Sequence, residues 1–377
     1  MLSRFHISGK FLIDLKSIIS LSLGNVSSKS ITSFEKNFSK YVYHPNCLAV
    51  ASGRLGLYMI LKKLNIPKGS EIIMQALNFH VVPKIVSDAG YSPSFVDVDE
   101  ETFNISFSQL KKKINAKTRA IIITHTFGNP CDIQPIMKMC QDNSIYLIED
   151  CAHALGAKID NKHVGTFGDA AFFSFETVKH INTFGGGMIL LKNPQLKLSI
   201  EKEINQWSVV PSKALFFKMM FSIFERVISN RYIYSMTIAP LLKILELMGK
   251  DEFFLINFYK KKKKKAKKFN FKYSPIQAKA GLIQLKEINH LIKKRQAHAQ
   301  KIYKQLKGFI SCQKIYDKME SSFYLFVVRT YNSRHFIKTL HGNGLDGAGN
   351  VLEYCPHDYN DYSEILAAES RLEYPNS

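Results

Sequence analysis

The sequence predicts an α/β protein built on a large, mostly parallel sheet that helices cover on both faces. Between residues 47 and 150, short apolar segments alternate with helical segments, which is the βαβ rhythm of a parallel sheet. Residues 145–191 contain three short apolar strands, IYLIED, AAFFSF and GMILL. Strands that are apolar on both faces belong inside such a sheet, so we expect the polar residues at their ends to lie on an exposed edge where ligands bind.

The first elements are a helix and the opening strand of the sheet. Residues 25–50 predict a lead-in helix, with Phe34 and Phe38 one turn apart, that runs into the apolar strand CLAVASG. The next segment, ASGRLGLYMILKKLNI, places the turn at residues 52–56 between a strand and a helix. Free backbone N–H groups at that helix start, together with the helix dipole, favour a phosphate site, although small residues at such a turn also serve tight packing.

The segments EIIMQALNFH, SPSFVDVD, RAIIITHTFGN and SIYLIED continue the alternation of strands and helices. Phe79 follows the first of these strands. An aromatic side chain at that place is suited to stacking on a cofactor ring, and it is equally typical of an ordinary core phenylalanine.

After residue 191 the pattern changes to an amphipathic helix followed by a long C-terminal helix. Apolar pairs recur at helical spacing, with polar residues on the other face. The apolar pairs are Phe216/Phe217, Met219/Met220, Ile223/Phe224 and Val227/Ile228, and the polar residues are Lys218, Ser222, Glu225, Arg226 and Ser229. The longest uncharged run, residues 232–242, is far below the ~18 to 20 residues that a spanning helix requires.

From Phe269 onward the spacing predicts one long helix that begins near Ser274, with Pro275 at its first position. A small α+β region follows, and SSFYLFVVRT is its clearest predicted strand. We therefore divide the chain into a large domain at 1–205 with its N-terminal lead-in, an amphipathic and lysine-rich insertion at 206–268, and a small C-terminal domain at 269–377.

Length and cysteine usage are those of an intracellular enzyme. The chain has 377 residues, of which 46% are hydrophobic, so it can form a large domain and a smaller one. Its six cysteines are scattered and form no CxxC pair, which favours reduced thiols over a disulfide framework or a zinc site. Charged residues such as Arg4 and Asp14 interrupt the N-terminal apolar stretch, so we expect no export and a cytoplasmic protein.

The formal charge of +21 is concentrated in one segment. Residues 213–272 contain 15 Lys and Arg against 4 Asp and Glu, and the lysine run spans residues 260–268. A solvated linker is one interpretation. Nucleic-acid binding is disfavoured because the run has no interleaved aromatic residues. We favour an anionic membrane surface, with the protein peripheral on the inner face, because a polybasic run and an amphipathic helix lie in one insertion. The alternative is that the apolar face of this helix packs on the enzyme's own surface or across the dimer.

Four polar residues at strand ends form the candidate site: Asp150, His153, Ser174 and Lys179. A carboxylate at one strand end and a hydroxyl five residues before a lysine at another suit pyridoxal phosphate. The lysine would form a Schiff base, the carboxylate would hold the pyridine nitrogen protonated, and the hydroxyl would bind the phosphate. Taken singly, the lysine fits a solvated surface charge, the aspartate a helix cap and the histidine a core residue. Their joint spacing favours the site.

These residues lie in motifs that resemble the DegT/DnrJ/EryC1/StrS family, the pyridoxal-phosphate-dependent nucleotide-sugar aminotransferases of aspartate-aminotransferase (type I) fold. The resemblance covers most of residues 30–195 and 269–345. Its motifs occur in the family's order: ASGRLGL, FVDVDEETFNI, THTFGNPCD, IEDCAHALGA, VGTFGDAAFFSFETVK, FGGGM and NFKYSPIQAKAGLIQL. The implied fold is a large, mostly parallel-sheet α/β domain plus a smaller C-terminal α+β domain.

The resemblance implies a role for each matched residue. Lys179 is implied to bond the cofactor, Asp150 to pair with its pyridinium and Ser174 to bind its phosphate. The remaining implied cofactor contacts are Arg54 and Leu55 in the phosphate-binding turn, Phe79 and His153 on the two ring faces, and Asn270 or Lys272 reaching the phosphate of the neighbouring subunit. A segment that completes the neighbour's site implies a homodimer with shared active sites.

The sequence also departs from the family pattern. Arg54 stands where the family has Thr, Gly185 stands where its GEGG loop has an acidic residue, and Lys272 replaces an Arg. Arg54 and Lys272 each keep a cation for phosphate. The family's sugar-contacting C-terminal loop is hard to recognise in GLDGAGNVLEYCPHD, so the sugar is left open.

The implied activity is transfer of an amino group from an amino acid, glutamate by resemblance, to a keto sugar on a nucleotide carrier for surface polysaccharide or a related glycan. Two alternatives stay open. One is a sugar dehydratase that uses the same cofactor, although the family's dehydratases replace the lysine itself with His, whereas here His180 only follows Lys179. The other is a catalytically inactive scaffold of the same fold at the membrane surface.

Overall fold

The computed structural model describes residues 27–237 and 271–342, together with residues 240, 241, 244 and 248. Its helices are α1 (Lys29–Val42), α2 (Gly53–Lys63), α3 (Val81–Asp88), α4 (Phe107–Lys113), α5 (Ile133–Asp142), α6 (Pro194–Asn205), α7 (Ser212–Ile228), α8 (Arg231–Met236), α9 (Pro275–Leu285), α10 (Ile288–Leu306) and α11 (Ser333–Gly342).

The longer strands, which form the central sheet, are β1 (Cys47–Val50), β2 (Glu71–Gln75), β3 (Ser92–Val96), β4 (Thr118–Thr124), β5 (Tyr146–Asp150), β8 (Ala170–Ser174) and β9 (Gly187–Leu191). The short strands are β6 (Lys158–Ile159), β7 (Lys162–His163), β10 (Ser208–Val209), β11 (Phe271–Lys272), β12 (Ser311–Cys312), β13 (Met319–Glu320) and β14 (Val328–Arg329).

The central sheet has seven strands in the order β1-β9-β8-β5-β4-β2-β3. The five strands from β8 to β3 run parallel to their neighbours, whereas β9 is antiparallel to both β8 and β1. The prediction of a mostly parallel sheet is therefore confirmed. Because the carboxyl ends of β4, β5 and β8 meet at one edge, the loops that follow these strands are brought together.

Two apolar layers cover the sheet because successive side chains of a strand point to opposite faces. In β4, Ile121 and Ile123 join the layer that contains α1 and α5, whereas Ala120 and Ile122 join the layer that contains α2, α3 and α6. All four of these side chains are fully buried. Burial on both faces explains why the strands read as continuous apolar runs rather than as alternating patterns.

Helix α1, the predicted lead-in helix, packs against α9. Phe34 and Phe38 are fully buried, and the ring of Phe38 lies edge-on to Phe173 of β8 at 5.3 Å between centroids. Gly281 of α9 makes the contact with α1 possible, since a Cβ atom there would lie 2.6 Å from the ring of Phe34. The N-terminal helix thereby ties the small C-terminal region to the sheet.

The single long helix predicted from Pro275 onward is wrong in one respect, because the chain forms two helices, α9 and α10. The predicted start is confirmed. Ser274 accepts a hydrogen bond from the Ile276 N–H (3.3 Å), and Gln277 accepts one from the Ser274 N–H (3.1 Å), which completes a capping box. The break after α9 turns α10 so that Ile292 packs over Gly156, where a Cβ atom would lie 2.7 Å from the isoleucine side chain.

The predicted strand SSFYLFVVRT is mostly not a strand. Only β14 at its end is extended and paired, with β12. Residues 321–325, hereafter the 321–325 segment, bond instead to the turn at residues 126–128, and Phe323 has a left-handed backbone with φ +46°. Left-handed backbone interrupts an extended chain, so tertiary bonding overrides the β-forming composition of this stretch.

Several sequence predictions concern parts of the chain outside the described residues. These are the lysine run at residues 260–268, Asn270 and the C-terminal residues 343–377. Within the described part, no helix has the length and apolar character needed to cross a membrane.

Candidate active site

Asp150 is the last residue of β5, at the carboxyl edge of the sheet. The carboxylate is 4% exposed and accepts a hydrogen bond from the Ala152 N–H at 2.9 Å. Burial raises the pKa of the Asp150 carboxyl to about 6, while the Ala152 N–H and the positive charge of Lys179 act in the opposite direction. A buried carboxylate at this edge is poised to pair with a cation.

Lys179 follows β8 through a turn in which its N–H donates to the Glu176 carbonyl oxygen at 2.9 Å. Burial lowers the pKa of the Lys179 amine to about 8, against the charges of Asp150 and Glu176, which raise it. The amine is therefore partly neutral near physiological pH, as a nucleophile or proton acceptor must be. The structure thus brings together the two residues that the sequence singled out as catalytic.

His153 lies beside this pair, and its Nδ1 atom is buried without a hydrogen-bond partner in the structure. Burial, followed by the charges of Lys179 and His180, holds the pKa of His153 well below its usual range, so the ring is neutral. Its ring is nearly parallel to that of Tyr324, with 4.3 Å between centroids and 11° between planes. A buried polar atom without a partner at a strand-end site indicates a bond that a ligand completes.

The start of α2, the end of β8 and the beginning of β9 meet at the predicted phosphate turn. Ser52 caps α2 by accepting from the Leu55 N–H at 3.1 Å, and it forms an isolated bridge with Gly186. A Cβ atom at Gly53 would lie 3.2 Å from the Ser174 Cβ, and one at Gly187 would lie 2.8 Å from the Gly53 nitrogen. Small residues are thus required here by close backbone approach, which brings the N-terminus of α2 next to Ser174.

The other two residues of this turn have different surroundings. Arg54 is exposed at the first turn of α2, whereas the Leu55 side chain is buried in the core at 2% exposure. Leu55 thus takes part in the turn through its backbone, and Arg54 is the residue there with an exposed cationic side chain.

The loop after Lys179 contains three consecutive residues with left-handed backbone. They are Phe184 (φ +59°), Gly185 (φ +102°) and Gly186 (φ +111°). Such backbone costs roughly 1–3 kcal/mol at a residue other than glycine, so Phe184 must be held by its surroundings. The loop supplies the bridge to Ser52, which means that its unusual path sets the shape of the phosphate turn.

Polar side chains of α9 hold this loop. Gln277 donates to the carbonyl oxygens of Thr183 (3.2 Å) and Gly185 (2.9 Å). Gln284 donates to the Asn182 carbonyl oxygen at 2.6 Å and accepts from the Asn182 N–H at 2.9 Å. All of these groups are buried, so each bond also satisfies a polar atom that water does not reach.

The inserted helix α7 packs on the same loop. Leu215 and Met219 are buried against Phe184, and Ser222 is fully buried and accepts a hydrogen bond from the Asn182 side chain at 3.0 Å. The sequence analysis placed Ser222 with the polar residues opposite the apolar pairs, and in the structure its hydroxyl is buried against the Asn182 amide. The predicted apolar face instead points outward: Phe216, Phe217, Met220, Phe224 and Val227 are all exposed.

Two further predicted cofactor contacts, Phe79 and Lys272, have the following surroundings in the single chain. Phe79 is 48% exposed, and its ring contacts His80 at 4.6 Å between centroids. Lys272 is half-buried in β11, paired with Val209 of β10, and its carbonyl oxygen accepts from the Val210 N–H at 3.3 Å. Asn270, the remaining predicted contact, lies outside the described residues.

The sequence analysis did not single out Glu149 and His125, which form a fully buried pair beneath Asp150. Glu149 accepts from His125 Nε2 at 3.0 Å and from three backbone N–H groups: Gly165 (2.7 Å), Phe167 (2.8 Å) and Gly168 (2.7 Å). Burial by itself would raise the pKa of Glu149, but these hydrogen bonds outweigh it and the pKa is lowered. The sequence signal that could have identified Glu149 is its position directly before Asp150 in β5.

Cys151 lies within 4.8 Å of this pair, in a cluster whose donor types suit a metal ion. His125 Nδ1, however, accepts from the Cys131 N–H at 3.0 Å, and both Glu149 oxygens are already occupied. The cluster is therefore a structural network that fixes the end of β5 and with it Asp150.

The fold, a seven-stranded and mostly parallel sheet with Asp150 and Lys179 at its carboxyl edge, is shared with solved structures of sugar-modifying enzymes. Helicobacter pylori PseC, an aminotransferase involved in the biosynthesis of pseudoaminic acid, has the same fold, with a TM-score of 0.69 and 19% identity over 99% of each chain. The GDP-4-keto-6-deoxy-D-mannose-3-dehydratase of Escherichia coli, solved with bound hydrated PLP, matches 97% of this chain and 89% of its own, with a TM-score of 0.72 and 20% identity.

The chain belongs to the DegT/DnrJ/EryC1/StrS aminotransferase family, whose model matches residues 18–222 and 236–376. It is 37% identical over 173 residues to the GDP-perosamine synthase of Escherichia coli O157:H7, which covers 45% of this chain and 48% of that protein. It is 36% identical over 148 residues to UDP-N-acetyl-3-dehydro-alpha-D-glucosamine 3-aminotransferase of Acidithiobacillus ferrooxidans, covering 39% of this chain and 40% of that protein. The matches span about half the length of these curated relatives.

The electrostatic coupling of the site predicts that Asp150→Asn lowers the pKa of Lys179 further below 8. The carboxylate raises this pKa, so its removal leaves burial less opposed, and a drop of about one unit or more is expected. The midpoint is read in cofactor-free protein from the pH dependence of Lys179 acetylation by acetic anhydride, followed by peptide mass spectrometry. Exposed lysines such as Lys192 in the same digest are the internal control. An unchanged or higher midpoint in Asp150→Asn would contradict the coupling.

Proposed function

We propose that this protein is a pyridoxal-phosphate-dependent aminotransferase that moves an amino group from an amino acid, glutamate by family resemblance, to a nucleotide-linked keto sugar for surface polysaccharide or a related glycan. The observation that carries the proposal is the Lys179 amine, whose pKa is lowered to about 8, coupled to the buried Asp150 carboxylate at the carboxyl edge of the sheet. The names of the family relatives describe enzymes that act on sugars, which supports a nucleotide-linked keto sugar as the substrate class.

The residues present fit the cofactor. The Asp150 carboxylate has the charge to hold the pyridine nitrogen protonated, and the buried Nδ1 of His153, which has no partner among the described residues, is available to a ligand. The N-terminus of α2 and the Ser174 hydroxyl offer neutral donors to a phosphate, and Arg54 lies on the same turn with its cation. When bound, the cofactor withdraws electrons from the carbon that carries the amino group.

Lys179 has two tasks in this chemistry. Its amine would hold the cofactor through a covalent bond, and in its free form the amine would accept and return a proton at the reacting carbon. A pKa near 8 suits both tasks because the amine gains and releases a proton at little cost close to neutral pH. The Asp150 carboxylate keeps this pKa from falling further.

Replacing Lys179 with Ala should lower the transamination rate by about 10²- to 10⁴-fold or more, since both the covalent bond and the proton carrier are lost. The reaction is followed by transfer of ¹⁵N from labelled glutamate to sugar-nucleotide product. Borohydride should fix the cofactor to Lys179 in the wild-type protein. Lys192→Ala, a change at an exposed side chain on the opposite edge of the sheet, is the matched control and should be neutral.

Three outcomes would count against this function. Full activity in Lys179→Ala would remove the proposed chemistry. Loss of water from the sugar without nitrogen transfer would favour the dehydratase. Absence of any lysine-bound cofactor absorbance in cofactor-saturated protein would favour the inactive scaffold.

We further propose that the active protein is a homodimer whose sites are shared through the segment around Lys272. Tyr273 is buried and donates to the Thr183 hydroxyl at 2.9 Å, so it points toward the site loop of its own chain. Adjacent residues of extended chain point to opposite sides, which directs Lys272 away from that loop. A cation directed outward beside the site edge is suited to the cofactor phosphate of a neighbouring subunit, as the family resemblance implies.

Shared sites predict that two inactive variants complement each other. In a mixed dimer of Lys179→Ala and Lys272→Ala subunits, one site carries both lesions and the other carries neither. After random subunit exchange, about a quarter of the wild-type activity is expected, since half of the dimers are mixed and each has one intact site. Mixing Lys179→Ala with Lys192→Ala subunits is the control. It measures the activity that subunit exchange gives when only one of the two partners carries an inactivating change. No recovery despite exchange shown by native mass spectrometry, with Lys272→Ala impaired alone, would contradict shared sites.

We also propose peripheral attachment to an anionic membrane surface through the insertion at residues 206–268. The outward face of α7 supports it, since Phe217 and Phe224 are 61% and 57% exposed. The lysine run at residues 260–268, which lies outside the described residues, would add roughly 1 kcal/mol per lysine near an anionic leaflet. Two such signals in one insertion suffice for reversible binding where either alone is weak.

Membrane attachment predicts co-sedimentation with vesicles of phosphatidylglycerol and phosphatidylcholine, but not with vesicles of phosphatidylcholine alone. Raising the salt should weaken the binding because it screens the lysines. Changing residues 260–265 from Lys to Gln should abolish it. Changing Lys111, Lys112 and Lys113 to Gln, in the last turn of α4, removes three lysines from a different surface as a control and should not. If the intact enzyme ignores anionic vesicles at low salt, the exposed face of α7 serves another purpose.

A further inference from the structure

The 321–325 segment carries the Tyr324 ring into the site. Its backbone is fixed on the turn beside His153: the Ser322 N–H donates to the Gly128 carbonyl oxygen at 2.9 Å, and the Leu325 N–H donates to the Phe127 carbonyl oxygen at 3.2 Å. Gly128 permits this approach, since a Cβ atom there would lie 2.8 Å from the Tyr324 nitrogen. The segment is thus positioned by the same loop that follows β4.

Arg295 of α10 fixes the segment from the other side. Its guanidinium donates to the carbonyl oxygens of Phe323 at 3.0 Å and Tyr324 at 3.2 Å. Burial lowers the pKa of Arg295, yet the group serves as a charged donor to both carbonyls. The charged Arg295 side chain therefore fixes the backbone of the 321–325 segment at Phe323 and Tyr324.

The ring of Tyr324 contacts the residues that carry the chemistry. The Lys179 Nζ atom lies over the ring at 4.7 Å from its centroid, and the His153 ring is stacked on it at 4.3 Å. The His180 ring approaches at 5.7 Å with an interplanar angle of 46°. The Tyr324 ring therefore contacts Lys179, His153 and His180.

We propose that Tyr324 is a positioning residue for Lys179, with its ring face holding the lysine ammonium group in the site and its stacking fixing the orientation of His153. The inference rests on the proposed function for its catalytic meaning. An ammonium over an aromatic face within about 6 Å is stabilised by roughly 0.5–2 kcal/mol because the face carries negative charge density. The ring face therefore holds the ammonium form of Lys179 in the site.

The charged and titratable groups that face Lys179 define the background for this effect. Asp150 and Glu176 raise the pKa of the lysine, and burial lowers it. His153 and His180 are both neutral, since burial depresses their pKa values, for His180 to about 3. The Arg295 cation faces His180 and Tyr324 rather than the lysine. The ring face is thus an additional contribution that favours the ammonium form.

The test measures the Lys179 pKa in cofactor-free protein, where catalysis plays no part. Tyr324→Phe keeps the ring face and should retain the wild-type midpoint. Tyr324→Leu removes it and should lower the midpoint by about 0.4–1.5 units, the range that follows from the cation–π magnitude. Tyr316→Leu is the matched control, because Tyr316 carries its own lysine, Lys314, at 5.4 Å from the ring centroid, and it should leave Lys179 unchanged.

A fluorination series keeps the test decisive if Tyr324→Leu fails to fold. Phenylalanine, difluorophenylalanine and pentafluorophenylalanine at position 324 have nearly the same shape, but the negative charge of the ring face declines along the series. A stepwise fall of the Lys179 midpoint supports the proposal. An unchanged midpoint in all ring variants overturns it and leaves Tyr324 as a packing residue.

Cofactor binding separates this inference from the proposed function. The wild-type protein and Tyr324→Phe should bind pyridoxal phosphate equally, while Tyr324→Leu should bind more weakly, as read from the absorbance of the lysine-bound cofactor during titration. If the wild-type protein binds no cofactor, the proposed function fails whatever the midpoints are. If it binds and Tyr324→Leu matches it in both midpoint and affinity, only the role of Tyr324 fails.

Discussion

The site depends on one physical constraint, the burial of an amine and a carboxylate next to each other at the carboxyl edge of the sheet. Removing water from Asp150 raises its pKa, and removing water from Lys179 lowers its pKa, while each charge opposes the shift of the other. This balance holds only if both side chains are fixed, because the attraction falls quickly with distance. Much of the surrounding structure serves to fix them.

Buried hydrogen bonds provide that rigidity. The Glu149 carboxylate gathers the His125 ring and three backbone N–H groups beneath Asp150, so the end of β5 has little freedom to move. On the other side, the loop after Lys179 takes three left-handed residues in succession, and Gln277 and Gln284 of α9 satisfy its carbonyl oxygens. Fully satisfied polar networks of this kind specify one arrangement, whereas a missing partner would be costly.

The insertion links this rigid site to the surface. Helix α7 packs on the loop after Lys179 through Leu215, Met219 and Ser222. Its other face, which includes Phe217 and Phe224, is apolar and exposed. The outer face lies one helix diameter from the loop after Lys179, against which the inner face of α7 packs.

The sequence by itself determined the elements whose pattern is local or repeated. Apolar runs gave β2 to β5, β8 and β9, the Ser274-Pro275 pair marked the start of α9, and the order of spaced motifs identified the family and the lysine–aspartate pair. Strand ends in a parallel sheet converge on one edge, which is why Asp150, Ser174 and Lys179 were predictable as neighbours. These inferences needed no knowledge of how distant segments pack.

Only the tertiary structure decided what depends on contacts between segments far apart in the chain. Tyr324 lies in a stretch of β-forming residues, yet bonds to Gly128, Phe127 and Arg295 bend that stretch into the site. Ser222 belongs to the polar side of its helix by spacing, but the Asn182 amide requires its hydroxyl inside. The break between α9 and α10 places Ile292 against Gly156, a contact between segments far apart in the chain. In each case a buried contact outweighed the conformational preference of the local sequence. Leaving a buried group without its hydrogen bond or packing partner costs more free energy than that preference contributes.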